Sequence, residues 1–300
     1  MKRALALILA ACMLPSVATA RPAPCTLRHF AAGQGELAYR SCGTGAVTVI
    51  LPGGPGMDAA YMLDVAQDVA AAGRRAILLE QRGTGASRAA LGDGSRLTVA
   101  GSIADVEALR RSLGADSITL IGHSFGGAIA QAYAVAFPGH VARLVLMNST
   151  GPDLRPRAAP LDSWRARLGP DELAAHDAAR ARGDRLAAMK VKFLGSFYHR
   201  NRGLAFLKAM PDSAVHQDVT PLSDDYARHY DVRAAAGATT FPVVILAGEI
   251  DWIRGDEAGL RAAWPRATTI VIPQAGHFPW ADAPAATRTA LRAALTAKPS

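Results

Sequence analysis

The sequence predicts an α/β fold: a mostly parallel sheet with helices on both faces, interrupted by a helical insertion. Three observations carry this. From residue 46, short apolar, β-branched runs of four to seven residues alternate with helical segments, the pattern of strands buried on both faces. Between about 151 and 240 the alternation lapses, Arg, Ala and Asp dominate, and no strand-like run occurs. It resumes at Val243 and closes on a helix, as in a sheet whose chain leaves and returns.

The first run, Ala46 to Leu51, stops at Pro52-Gly53-Gly54-Pro55-Gly56, and Tyr61 to Ala72 has helical periodicity up to Gly73. A second strand, Ala76 to Leu79, is closed by Glu80-Gln81-Arg82-Gly83-Thr84-Gly85. Ile103 to Leu113 patterns as an amphipathic helix with Asp105, Glu107, Arg110 and Arg111 on its wet side. Ser117 to Ile121 is a third strand, Ala128 to Phe137 a long apolar helix, and Val141 to Met147 a fourth strand. Within the insertion, Asp171 to Lys192 predicts one or two helices. Strands at Val243 to Ala247 and Thr268 to Ile272 flank a helix around Glu257 to Ala263, and a helix from Ala285 to Leu295 ends the fold. The organisation expected is a leader at 1–20, a core at 21–150, a helical insertion at 151–240 and the rest of the core at 241–300.

Half of the 300 residues are apolar and 19% are charged, which excludes a disordered or collagen-like chain. The formal charge of +8 suggests nucleic acid until the leader is subtracted. Lys2 and Arg3, the apolar run Ala4 to Leu14, and Ala18-Thr19-Ala20 ahead of Arg21 make a secretory signal peptide, too short to span a bilayer. Its removal leaves 31 basic residues against 25 acidic, a net +6. Leu9-Ala10-Ala11-Cys12 also fits a lipoprotein box with Cys12 lipidated, although the apolar stretch before Cys12 is short for one. Residues 151–208 hold twelve Lys or Arg against six acids, so the excess is local and not a phosphate-tracking stripe. With export and no nucleic-acid reading motif, nucleic-acid binding is excluded. The patch suits steering of anionic substrates or contact with an anionic membrane surface; a solvated Arg-rich helical face is the simpler reading.

Export gives the cysteines meaning. Cleavage leaves Cys25 and Cys42, an even pair in an oxidising compartment. Thr26 to Phe30 and Glu36 to Arg40 pattern as strands about Gly33-Gln34-Gly35, a hairpin that brings the two together. A structural disulfide is expected; two buried thiols are the alternative.

The chemistry centres on Gly122-His123-Ser124-Phe125-Gly126, a G-x-S-x-G segment between a strand and a helix. Such a turn holds Ser124 exposed in a strained conformation, and the helix after it points amides at the same spot. Serine needs a base and an orienting acid. Of the eight histidines, His277 alone follows the last strand; His123 lies in the turn, His176, His199, His216 and His229 in the insertion, and His29 and His140 near other turns. Asp251 follows the strand Val243 to Ala247, with Glu249 and Asp256 as competitors. Two backbone donors for an oxyanion are expected from Phe125 and from the glycine-rich loop, Gly54 foremost, because a Pro there has no N–H.

These segments resemble the α/β-hydrolase superfamily and, within it, the proline iminopeptidase branch (peptidase family S33-like). Pro52-Gly53-Gly54-Pro55-Gly56 followed by Tyr61 is similar to the branch's H-G-G-P-G, and Glu80-Gln81-Arg82-Gly83-Thr84-Gly85-Ala86-Ser87 to its D-Q-R-G-x-G-x-S. The resemblance spans roughly 46–150 and 241–285; it implies Ser124, Asp251 and His277 as catalytic triad and 151–240 as a helical cap. Three departures stand out. Pro52 replaces the branch's His, so any hydrogen bond that His makes behind the oxyanion loop is absent. His123 and Phe125 are closer to general esterases, and the cap has no W-x-x-W-E segment to supply an acid for a free amine. Asp171-Glu172 or Asp224-Asp225 are the substitutes available, each also a plausible solvated helix start. The expectation is therefore an exported serine hydrolase needing no metal or organic cofactor and acting on a small molecule or short peptide. It removes N-terminal residues or cleaves carboxylic or thio-esters; a binding module on a hydrolase fold is the non-enzymatic alternative. Halide and epoxide hydrolases of this fold resemble chains with Asp, not Ser, as nucleophile.

Overall fold

A computed structural model describes residues 24–33, 35–154, 164–253 and 256–297. The leader, Cys12, Gln34 of the hairpin turn and 155–163 of the insertion lie outside the described residues. Eight strands form one sheet in the order β1-β2-β4-β3-β5-β6-β7-β8. They are β1 (Thr26–Ala31), β2 (Glu36–Cys42), β3 (Val47–Leu51), β4 (Arg75–Leu79), β5 (Ile118–His123), β6 (Val141–Met147), β7 (Val243–Gly248) and β8 (Thr268–Ile272). From β4 onward across the sheet every pairing is parallel; β1–β2 and β2–β4 are antiparallel.

The central strands β3, β4, β5 and β7 are buried on both sides because both sides are covered. On β3, Val49 and Leu51 enter one core cluster and Ile50 the other, as period-two alternation requires. One cluster is built with α2 (Val99–Ser112), α3 (Phe125–Ala136) and α9 (Glu257–Ala263). The opposite cluster uses α1 (Leu63–Ala71) and α11 (Pro284–Thr296). Between β6 and β7 come α4 (Pro170–Ala181), α5 (Arg185–Leu194), α6 (Arg200–Ala209), α7 (Pro221–His229) and α8 (Arg233–Ala236); α10 (Pro279–Asp282) precedes α11. Among the described residues no helix is long and apolar enough to cross a membrane.

In the β1–β2 hairpin, Thr26 pairs with Ser41, which sets Cys25 beside Cys42. They are joined by a disulfide with their Cα atoms 4.4 Å apart. Closing a loop of this size stabilises the fold by about 3 kcal/mol through the unfolded chain.

Helix α2 departs from the amphipathic reading. Asp105 and Glu107 are not on a wet side; both are buried. Asp105 takes a bidentate pair from Arg82 at 2.6 and 2.9 Å, and Glu107 accepts from Arg110, Arg111 and the Tyr133 hydroxyl of α3. Arg110 holds Glu107 well below the usual carboxylate range, helped by Arg111 and Tyr133. A charge pattern read along one helix cannot see Arg82 and Tyr133, which reach these carboxylates from other segments.

Candidate active site

Strand β5 runs into α3 through one residue, Ser124, held at φ 54°, ψ −125°. The turn is tight enough that a Cβ on Gly126 would come 2.1 Å from the Leu51 carbonyl oxygen, which only glycine avoids. His277 follows β8 and Asp251 follows β7, so all three meet at the carboxyl ends of parallel strands. The Ser124 hydroxyl lies 3.1 Å from His277 Nε2, and His277 Nδ1 lies 2.9 Å from Asp251 Oδ1. A carboxylate only accepts, so Nδ1 carries the proton and Nε2 accepts from the Ser124 hydroxyl. His277 and Asp251 are buried. The rival acids serve the backbone: Glu249 accepts from the Gln274 amide and Asp256 from the Gly151 amide.

The loop after β3 runs against the nucleophile: a Cβ on Gly53 would lie 2.8 Å from that of Ser124. Its position is fixed by the Glu80-Gln81-Arg82 segment. Glu80 accepts from the Ala59 amide, Gln81 donates to the Pro52 carbonyl at 2.6 Å, and Arg82 ties the segment to Asp105. The Gly53 amide donates to the Tyr61 hydroxyl at 2.6 Å and so is committed, which leaves Gly54 as the loop's candidate oxyanion donor beside Phe125.

Tyr61 and His123 hold the loop from behind. His123 Nε2 lies 2.9 Å from the His277 carbonyl, an acceptor, so Nε2 carries the proton and Nδ1 accepts from the Tyr61 hydroxyl at 2.9 Å. Burial, then the neighbouring His277, pushes the His123 pKa well below the ordinary value, so it stays neutral and this proton order holds. One chain of hydrogen bonds thus links the Gly53 amide, Tyr61, His123 and the backbone of the His277 loop. Tyr61→Phe is expected to lower kcat for an activated ester roughly 10- to 100-fold with little change in KM, because the loop and His277 lose their shared reference. A variant of unchanged kcat and lowered Tm would make the chain merely structural.

Asp282, five residues past His277 and fully buried, was not singled out by the sequence. Its carboxylate accepts from the Gly276, Tyr198 and His199 amides, joining the His277 loop to the segment ahead of α6. The Ser196 backbone carbonyl reinforces this by accepting from the His277 amide at 2.9 Å.

Above Ser124 opens a cavity of about 680 Å³, walled by the Gly53–Met57 loop, Tyr61, Trp252 and Phe278 and roofed by α4, α5 and the His216 segment. Its described lining includes Arg180, Arg185, Lys192, His176 and His216 and no Asp or Glu. None of the four acids considered for a substrate amine lines the cavity: Asp171 and Asp224 are exposed, and the other two are engaged elsewhere. Glu172 caps α4 through the Gly169 amide and pairs with Arg200; Asp225 accepts from the Val99 amide at the start of α2. Among the described residues no cluster of three or more His, Cys, Asp or Glu forms a metal site.

A strained serine between strand and helix, with histidine and aspartate brought from later strand ends, defines a hydrolase of the α/β class by its geometry. Residues 47–284 match the family model of the alpha/beta hydrolase fold, and the chain belongs to that family. It is 27% identical over 253 residues to the 2-hydroxy-6-oxononadienedioate/2-hydroxy-6-oxononatrienedioate hydrolase 1 of Dechloromonas aromatica, covering 81% of this chain and 84% of the relative. It is also 27% identical over 220 residues to the 1-acylglycerol-3-phosphate O-acyltransferase ABHD5 of Sus scrofa, covering 61% of this chain but only 58% of that relative. It is 34% identical to the proline iminopeptidase of Thermoplasma volcanium over 97 residues, 32% of each chain. Among solved structures, an esterase from Exiguobacterium antarcticum superposes with a TM-score of 0.71 at 18% identity, covering 90% of this chain and 99% of that one; this likeness is one of fold.

Proposed function

We propose that the protein is an exported serine hydrolase that cleaves carboxylic or thio-esters by two-step acyl transfer. The observation that carries this is the chain Ser124–His277–Asp251, with its serine hydroxyl facing the cavity. Ser124 attacks the carbonyl while His277 Nε2 takes its proton. Asp251 holds the imidazole tautomer and stabilises the imidazolium that forms. The Gly54 and Phe125 amides receive the oxyanion of the tetrahedral intermediate. His277 returns its proton to the leaving group, then draws one from water to release the acyl group. Segment 151–240 acts as the cap that shapes the cavity.

Support for export comes from the leader pattern and from the Cys25–Cys42 disulfide. A second reading, release of an N-terminal residue from short peptides, is favoured by the local likeness to a proline iminopeptidase. It requires a carboxylate facing the substrate ammonium, and the described lining offers cations in its place.

The deciding experiment is a paired assay of the exported protein, whose N-terminus should be Arg21 by mass spectrometry. Turnover of p-nitrophenyl butyrate without turnover of proline β-naphthylamide is expected, together with fluorophosphonate labelling of Ser124. Turnover of the amide in preference would install the peptidase reading. Absence of both turnover and labelling would remove the serine-hydrolase reading altogether.

A further inference from the structure

We propose that the substrate carries a carboxylate, held in the cap by Lys192 together with Arg180 and Arg185, a short chain's length from the carbonyl attacked by Ser124. This rests on the serine-hydrolase reading and adds the substrate class to it.

The cations reach the cavity by helix geometry. On α5, Arg185, Ala188, Met189 and Lys192 recur at the three- and four-residue spacing that shares one face, and all four line the cavity. The face therefore offers an apolar middle with a cation at each end, and Arg180 of α4 joins from across the turn at Gly183. Lys192 Nζ sits 3.7 Å from the centre of the Trp252 ring, which itself lies 5.2 Å from that of His277. The ammonium is thus within about 9 Å of the His277 ring. A carboxylate separated from the reacting carbonyl by four or so methylenes spans about 6–8 Å when extended, by carbon–carbon bonds near 1.5 Å, and meets it.

The described carboxylates around Arg180 and Arg185 are engaged by other groups. Asp177 pairs with Arg165 and His176, and Asp184 caps α5 and pairs with Arg182. Asp212 pairs with Lys190, Asp218 with Arg88, and Asp58 with His216. Among the described residues neither Arg180 nor Arg185 has an ion-pair partner, Arg185 donating only to the Thr220 hydroxyl. A cavity walled by three cations and no described acid concentrates anions and disfavours ammonium groups.

The test compares 4-nitrophenyl hydrogen adipate with the neutral 4-nitrophenyl pentanoate. The anionic ester is expected to have a kcat/KM roughly 10- to 100-fold higher at low salt, the range of one or two charge-assisted hydrogen bonds. That ratio should fall towards one in Lys192→Met and in Arg180→Gln/Arg185→Gln, each shown folded by its thermal melt. Free adipate should inhibit hydrolysis of the neutral ester competitively in the unmodified protein, whereas 1,5-diaminopentane should not. Equal rates on the two esters, or inhibition by the diamine in place of the diacid, would overturn the proposal while leaving the serine-hydrolase reading intact. Hydrolysis of neither ester would instead strike at that reading.

Discussion

Ser124→Ala should lower kcat for p-nitrophenyl butyrate by about 10⁴- to 10⁶-fold, the loss expected when the nucleophile of a Ser-His-Asp set is removed. Burial of His277 and Asp251 does not depend on the serine hydroxyl, so the sheet and the cavity should persist. A companion variant separates chemistry from folding. Ser124 is held at φ 54°, a conformation costing a side-chain-bearing residue of order 1–3 kcal/mol. Ser124→Gly should therefore be as inactive as Ser124→Ala yet more stable than the parent, because glycine relieves that strain. Urea unfolding of the three proteins alongside their rates makes the check. Activity within tenfold of the parent in either variant would leave Ser124 without a catalytic role.

Much of this was legible because local rules and global fold agree. The strand Val141–Met147 and the strand Thr268–Ile272 are bounded as their apolar and β-branched runs dictate, with a polar loop or turn at each end. The helix before the second strand was less clear: Tyr61 belongs to a 3₁₀ turn, Ala59–Met62, that precedes α1. Periodicity does not separate that turn from the α-helix it leads into. Asp105 and Glu107 were misplaced for a different reason. Their partners Arg82 and Tyr133 are 23 and 26 residues away, and a one-dimensional pattern assigns charge to solvent by default. His123 was set aside as a base because it lies within the turn. Its part in tying Tyr61 to the His277 loop depends on a contact 154 residues distant. Motif spacing predicts which groups end strands; it does not predict which buried polar groups satisfy one another.

Removing the Asp105 carboxylate should be the most damaging change away from the cavity. Arg82 is buried, with its guanidinium on Asp105 by two bonds and on the Ala90 and Ala32 carbonyls by two more. Asp105→Ala leaves that cation without a carboxylate in direct contact, since Asp105 is also the acid Arg96 approaches, at 3.9 Å. A loss of about 3–5 kcal/mol is expected, the cost of breaking a buried pair from one side. The pair as a whole is a weaker stabiliser than that figure suggests. Burial pushes the Asp105 carboxyl above its ordinary value even against the pull of Arg82 and Arg96, so desolvation outweighs the attraction. Replacing both partners, as in Arg82→Met/Asp105→Leu, should accordingly cost less than Asp105→Ala alone, which a double-mutant cycle by urea denaturation would show. The site would feel the difference: Gln81, next to Arg82, holds the Pro52 carbonyl of the oxyanion loop. Asp105→Ala should therefore lose esterase activity on warming well before Arg82→Met/Asp105→Leu does. If Asp105→Ala cost under about 1 kcal/mol, the range of an exposed pair, the burial argument would be wrong.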